Sequence, residues 1–316
     1  MSPPLNALAV VLEKPEHLVL SRLELTPAGA EDVVVDIEWS GISTGTERLL
    51  WSGRMPPFPG MGYPLVPGYE SVGRVVAAGD RAAVDPGARV FVPGARCFGD
   101  VRGLFGGAAA RVVVPGSKVV PFDESLGERG VLLALAATAY HATVGPDGKP
   151  PELIVGHGVL GRLMARLAVL ADVEPVVWER NPERARGAEG YRVVHPDDDA
   201  RREYHTICDV SGDAALLDAL IARLARGGEI VLAGFYSEPL SFAFPPAFMR
   251  EARIRVAAEW RESDLVAVRE LAESGRLSLD GLITHRRDAG DAAAAYRTAF
   301  GEPECLKMIL DWRSTR

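Results

Sequence analysis

The 316-residue sequence predicts an α/β protein with a β-rich N-terminal domain and a doubly wound parallel-sheet domain. Three observations carry this reading. Short Val-containing runs punctuated by Gly and Pro fill the chain to about residue 120. Strand and helix patterns then alternate through the middle of the chain. Within that alternation, Gly156-His157-Gly158-Val159-Leu160-Gly161 sits between a strand pattern and a helix pattern.

In the first part, residues 5–11, 32–38, 73–76, 89–92 and 110–114 read as strands. Their β-branched residues lie between turn dipeptides such as Pro86-Gly87 and Pro115-Gly116. In the middle, residues 152–155, 173–178, 206–210, 229–233 and 253–258 read as strands. Residues 162–171 read as a helix, because Leu163, Leu167 and Leu170 share one face. A second helix is expected at about 214–225 and an Ala-rich third at 289–299, followed by a strand at 307–310. Strands alternating with helices imply a parallel sheet covered on both faces.

Bulk properties exclude several classes. The net charge is −8 and no basic block appears, which argues against a nucleic-acid partner. Cys97, Cys208 and Cys305 form no CxxC pair, so neither a clustered zinc site nor a disulfide framework is indicated, and a reducing, cytoplasmic setting is expected. Charged residues at Glu13, Lys14 and Glu16 come too early for a secretory signal. The longest apolar stretch, 131–140, is about half of what a bilayer span needs, so no integral membrane segment is expected.

The glycine loop predicts a nicotinamide dinucleotide site. Gly156 permits the tight turn, Gly158 lets the pyrophosphate approach the backbone, and Gly161 lets helix and strand pack closely. Val159 and Leu160 complete the loop, and the helix start offers free N–H groups to phosphate. His157 is expected to face solvent beside the pyrophosphate, with no catalytic role. Glu179, at the end of the next strand, is placed to bind ribose hydroxyls and favours NAD over NADP, because a carboxylate repels a 2′-phosphate. Arg180 beside it is the residue type that serves NADP.

Several segments together resemble the medium-chain dehydrogenase/reductase superfamily over nearly the whole chain. They are Gly41-Ile42-Ser43-Thr44-Gly45-Thr46-Glu47, Pro64-Leu65-Val66-Pro67-Gly68-Tyr69-Glu70 and the glycine loop, with Asp209-Val210-Ser211-Gly212, the run from Gly227 to Gly234, and Leu282-Ile283-Thr284-His285. The resemblance implies a GroES-like β-rich catalytic domain at 1–125, completed by about 278–316, and a Rossmann domain at 126–277. It also implies cofactor contacts from Ser211, Gly212, Gly234 and Thr138, with Thr44 and Thr46 either reaching the nicotinamide ribose or only stabilising their turn.

The departures from that superfamily carry chemistry. Ser43 stands where zinc members have Cys, Tyr69 where they have His, and the third ligand position falls at about Ala134. A zinc site needs three N, S or O ligands and an open position, so no zinc is expected. Tyr69 and Ser43 are then the candidates to manage the alcohol proton. His141, in an apolar helical segment, is a third candidate, although an isolated His there also serves structurally. Glu70 either orients these groups or holds structure alone.

The run from Ser43 to Pro64 further resembles the bacteriochlorophyllide a dehydrogenases of photosynthetic bacteria. That likeness implies zinc-independent, NAD-dependent oxidation of a 3-(1-hydroxyethyl) group to 3-acetyl on a tetrapyrrole, and a homodimer. Trp51, Met55, Phe58, Met61 and Tyr63 are expected to form an apolar wall for the flat substrate, with Arg48 and Arg54 pairing with its propionate carboxylate. The same loop packed on its own core is the alternative. Two other functions stay open: a zinc-independent quinone or enoyl reductase using NADPH, and a non-catalytic dinucleotide- or pigment-binding protein.

Overall fold

The computed structural model describes residues 5–315. The chain divides into two units. One holds the described residues through Ala134 and those from Leu282 onward; the other is Leu135–Gly281. The divisions fall after Ala134 rather than near 125, and before Leu282 rather than near 278. The first shift arises because the 3-10 stretch Glu124–Leu132 stays on the first unit, where Glu124 pairs with Arg74 and Arg89.

The first unit is β-rich. Its strands are β1 (Asn6–Lys14), β2 (His17–Glu24) and β3 (Asp32–Ile42); after the short helix α1 (Thr46–Ser52) come β4 (Leu65–Val66), β5 (Ser71–Ala78), β6 (Arg89–Val92), β7 (Arg102–Gly103), β8 (Arg111–Pro115) and β9 (Val120–Pro121). Strand β3 organises the unit. Its Val33, Val35 and Ile37 are fully buried, each worth about 1.5–3 kcal/mol of transfer free energy. Between them, Asp36 and Glu38 reach Arg111 at 2.5 Å and Arg89 at 2.7 Å. Antiparallel β5 pairs along one edge of β3. Along the other edge, β8 pairs with residues 32–36 of β3.

The second unit begins within the helix α2 (Leu133–Thr143). It contains β10 (Leu153–Val155), α3 (Val159–Leu170), β11 (Val176–Trp178), β12 (Arg192–Val194), β13 (Tyr204–Asp209), α4 (Leu217–Arg223), β14 (Leu224–Leu232), α5 (Phe244–Met249), β15 (Arg253–Val256) and α6 (Glu262–Glu273). Six strands pair in parallel in the order β12-β11-β10-β13-β14-β15. The strand order therefore reverses beside β10, where open parallel sheets place their ligands. This is the expected doubly wound sheet. The helix expected at 214–225 is shorter, because strand geometry resumes at Leu224.

The tail returns to the first unit as β16 (His285–Asp288), α7 (Ala292–Gly301) and β17 (Met308–Asp311). Strand β17 lies antiparallel to residues 39–42 of β3. That register brings Met308 opposite Ile42, and so sets the residue before it beside Ser43. Among the described residues, no helix is long and apolar enough to cross a membrane.

The glycine loop shows how close packing dictates residue type. Gly156 has φ +107°, and a Cβ on Gly161 would lie 1.9 Å from the Gly156 carbonyl oxygen. Gly161→Ala must therefore push β10 and α3 apart. It is expected to lower stability by about 1–3 kcal/mol in urea unfolding, the usual cost of overpacking; an unchanged midpoint would show that the approach is slack.

Candidate active site

Two polar clusters stand out, one in each unit. The first forms where β3 and β5 leave their sheet together. Ser40 pairs with Ser71, so residues 41–43 and 68–70 run on side by side, and the Gly41 N–H donates to the Glu70 carbonyl at 2.7 Å. Ser43 and Tyr69 meet there, with their hydroxyl oxygens 2.8 Å apart. Ser43 is buried and Tyr69 half-buried, and the Tyr69 ring stands edge-on to Phe105 at 5.5 Å. Thr46 also lies beside Tyr69 and helps hold its pKa down.

Glu47 lies under this pair with no exposed surface. Its carboxyl accepts the Ser43 backbone N–H at 3.0 Å and the Tyr296 hydroxyl at 2.6 Å. Burial raises its pKa to about 7, and the nearby Glu70 adds to the rise; the bonds from Tyr296 and Ser43, and the charge of Lys307, oppose it. Glu70 is also fully buried, and Lys307 Nζ donates to its Oε2 at 2.5 Å and to the Ile42 carbonyl at 3.2 Å. The side chain fits only because position 41 is glycine; a Cβ there would sit 2.4 Å from Glu70 Oε2. The second oxygen, Oε1, has no hydrogen-bond partner among the described residues.

Tyr69 is displaced in the direction that disfavours a phenolate. Burial raises its pKa most, the charge of Glu70 adds to it, and Ser43 and Thr46 only partly offset them. Tyr69 is therefore a hydroxyl at neutral pH, one that donates and accepts within a chain of hydroxyls.

The second cluster gathers at the carboxyl ends of β10, β13 and β14. Gly158 caps α3, and Val159 opens that helix, with Leu160 behind it. Ser211, Gly212 and Gly234 belong to the neighbouring loops: Ser211 N lies within 3.5 Å of where a Gly156 Cβ would be, and Gly212 N within 3.2 Å of a Gly234 Cβ. Asp209 Oδ1 accepts the Ser211 backbone N–H at 2.9 Å and so holds that turn. Glu179 follows β11 and is half-buried, and Arg180 is exposed. The expectation for His157 is corrected: it is fully buried rather than facing solvent, with Nδ1 2.6 Å from the Arg184 carbonyl and Nε2 2.9 Å from the Tyr191 hydroxyl. An imidazole with two interior partners has no reason to stay in water.

The remaining sequence candidates are distributed between the units. His141 and Thr138 lie half-buried on α2, and His141 Nδ1 sits 2.8 Å from Asp264 Oδ2. Thr44 is half-buried in the first unit. The expected aromatic wall is divided. Met55 is buried in a cluster with Leu12, Leu50, Leu65 and Leu104, against which Met61 and Tyr63 pack. Tyr63 donates its hydroxyl to the Leu50 carbonyl, and Trp51 stacks tilted on Phe300 at 5.5 Å. Phe58 remains 38% exposed, and Arg48 and Arg54 are exposed with no ion pair among the described residues. Sequence reasoning gave no role to Glu47, Tyr296 or Lys307. The four-residue spacing from Ser43 to Glu47 was the one available signal.

The zinc positions of this fold do not fit a metal here. Ser43 and Tyr69 are bonded to each other, Glu70 to Lys307, and the side chain of the fully buried Ala134 has no N, S or O atom.

A family model, the alcohol dehydrogenase GroES-like domain, matches residues 29–124. The chain is 58% identical over 313 residues to the 2-desacetyl-2-hydroxyethyl bacteriochlorophyllide A dehydrogenase of Cereibacter sphaeroides, which covers 97% of this chain and 98% of that one. A protein of the same description from Rhodobacter capsulatus is 58% identical over 309 residues, with the same shares. Among solved structures, the alcohol dehydrogenase rspB of E. coli CFT073, complexed with NADH, matches with a TM-score of 0.83 at 22% identity, over 97% of this chain and 99% of that one. Fold and family thus define a dehydrogenase of the medium-chain superfamily, an oxidoreductase acting on a CH–OH group. The chain belongs to the family of the 2-desacetyl-2-hydroxyethyl bacteriochlorophyllide A dehydrogenases.

Two predictions follow from the buried charges. Lys307→Met strands the Glu70 carboxylate without its cation, and should cost about 3–5 kcal/mol in urea unfolding, with much of this recovered in the Glu70→Gln/Lys307→Met double variant. Glu47 gives a pH dependence. Its folded pKa, about 7, exceeds its unfolded value of 4.5, so the folded state holds the extra proton between those values. This contribution favours folding most at the acid end and is lost as pH rises through 7. Thermal unfolding of Glu47→Gln at pH 5, 6, 7 and 8 should lack that part of the decline; a slope equal to wild type would place the titration elsewhere.

Proposed function

We propose that this chain oxidises the 3-(1-hydroxyethyl) group of a bacteriochlorophyllide to 3-acetyl, with NAD as acceptor and without zinc. The observation that carries the reading is the Ser43–Tyr69 hydroxyl pair, found at the family's metal positions in a chain that is 58% identical to named bacteriochlorophyllide dehydrogenases. NAD, when bound, supplies the hydride acceptor. The glycine loop and the α3 N-terminus suit its diphosphate, and Glu179 suits a ribose without 2′-phosphate.

The hydroxyl pair handles the proton. As hydride leaves the carbinol carbon, the alcohol proton passes to the Tyr69 oxygen, the Tyr69 proton to Ser43 Oγ, and the Ser43 proton onward to solvent. No phenolate accumulates, which agrees with the upward displacement of Tyr69. His141, held through Nδ1 by Asp264, presents Nε2 as its basic nitrogen and is the alternative acceptor. The exposed Arg48, Arg54 and Phe58 suit an anionic, flat substrate better than the buried Met55 does.

Chelator-treated protein supplied with NAD and 3-hydroxyethyl bacteriochlorophyllide should form NADH and shift the pigment's red band. Tyr69→Phe should lose roughly 10²-fold or more in kcat/KM and Ser43→Ala about tenfold, while His141→Gln retains most activity. Absence of turnover in the wild type sinks the substrate assignment. Full activity in both hydroxyl variants, with loss in His141→Gln, moves the proton to the imidazole.

A further inference from the structure

The connection between β11 and β12 contains only a turn at residues 182–185, where a crossover between parallel strands usually carries a helix. Buried side chains from the glycine loop and α3 hold it instead. The Arg184 carbonyl can only accept, so His157 carries its proton on Nδ1 and receives the Tyr191 hydroxyl on Nε2. The Tyr191 ring meets the imidazole edge-on at 5.6 Å. Burial, and then the charge of Arg162, lower the His157 pKa to about 4, so the imidazole is neutral at neutral pH.

Arg162 works on the same loop. It is 5% exposed and directs its guanidinium to the carbonyls of His157 at 3.1 Å, Arg184 at 2.9 Å, Arg186 at 2.7 Å and Gly187 at 3.2 Å. The loop so held begins at Glu179, whose two oxygens are both tied. The His157 backbone N–H donates to Oε2 at 3.2 Å and the Asn181 N–H to Oε1 at 2.8 Å. The carboxylate therefore has one orientation, and that orientation depends on where His157 and the 181–191 segment are held.

We propose that His157 is a positioning residue: with Tyr191 and Arg162 it locks the Glu179 carboxylate in the orientation that rejects a 2′-phosphorylated nucleotide. A carboxylate that swings freely can turn away from a phosphate, and its repulsion then falls with distance. A locked one cannot. The lock rests on the proposal that Glu179 receives the cofactor ribose.

The test is titration of NADH and NADPH, followed by nicotinamide fluorescence, into the wild type, His157→Ala, His157→Gln and Tyr191→Phe. Wild type should prefer NADH. The ratio of NADPH to NADH dissociation constants should fall about tenfold in His157→Ala and severalfold in Tyr191→Phe, with partial recovery in His157→Gln, whose amide can still donate to Arg184. A merely structural role weakens both nucleotides alike, so an unchanged ratio overturns the lock. Should His157→Ala fail to fold, the Tyr191→Phe ratio decides. A wild type that binds neither nucleotide, or NADPH as tightly as NADH, overturns the reading of Glu179 and the lock with it.

Discussion

Two buried carboxyl groups and one buried ammonium set the terms for the first unit. Glu47, Glu70 and Lys307 are each at most 1% exposed. Lys307 is committed to Glu70 at 2.5 Å. A second full negative charge beside that pair would be unpaired, and an unpaired buried charge is costly enough that the group protonates instead. Glu47 takes that course, and its pKa near 7 marks the compromise. Its remaining bonds, from the Ser43 N–H and the Tyr296 hydroxyl, then hold the start of α1 against α7. The Ser43–Tyr69 pair rests on this arrangement. Sheet register gives the cluster its geometry as well, since β17 against β3 is what delivers Lys307 to Ile42.

What could be read from the sequence was local. Val33, Val35 and Ile37 alternate with Asp36 and Glu38 within a few residues, so β3 was legible, although its extension to Ile42 was not. The glycine loop was legible because each glycine answers a backbone constraint that the loop itself imposes. Ser43 and Tyr69 were marked by departures from a family pattern, and each sits within a recognisable motif. Lys307 was invisible because its partner lies 237 residues away, and nothing in the residues around it distinguishes a buried ammonium from a solvated one. His157 misled for a related reason. A histidine in a glycine loop reads as polar and exposed until Arg184 and Tyr191 are known to come back beneath it. The loop from Trp51 to Tyr63 has the composition of a ligand wall, and composition does not say which side of a loop faces the core; Met55 does.

On the proposed reading, hydroxyls stand where metal ligands would, and this changes what the rest of the chain must do. A metal lowers an alcohol's pKa by its own charge, and the protein need only hold it. Hydroxyl groups supply no such charge. On the proposed reading, Tyr69 begins the reaction protonated and held above its ordinary pKa, so the proton cannot leave ahead of the hydride and must move with it. Concerted transfer is demanding in geometry, because each oxygen must be within hydrogen-bond reach of the next at one moment. Ser43 is placed for this by its backbone, through a bond to Glu47, and Glu47 is placed by Tyr296. The tail of the chain therefore belongs to the chemistry of the first motif. Tyr296 and Lys307 touch no reacting atom in this scheme, yet each holds a buried carboxyl group, Glu47 or Glu70, in the segments that carry Ser43 and Tyr69.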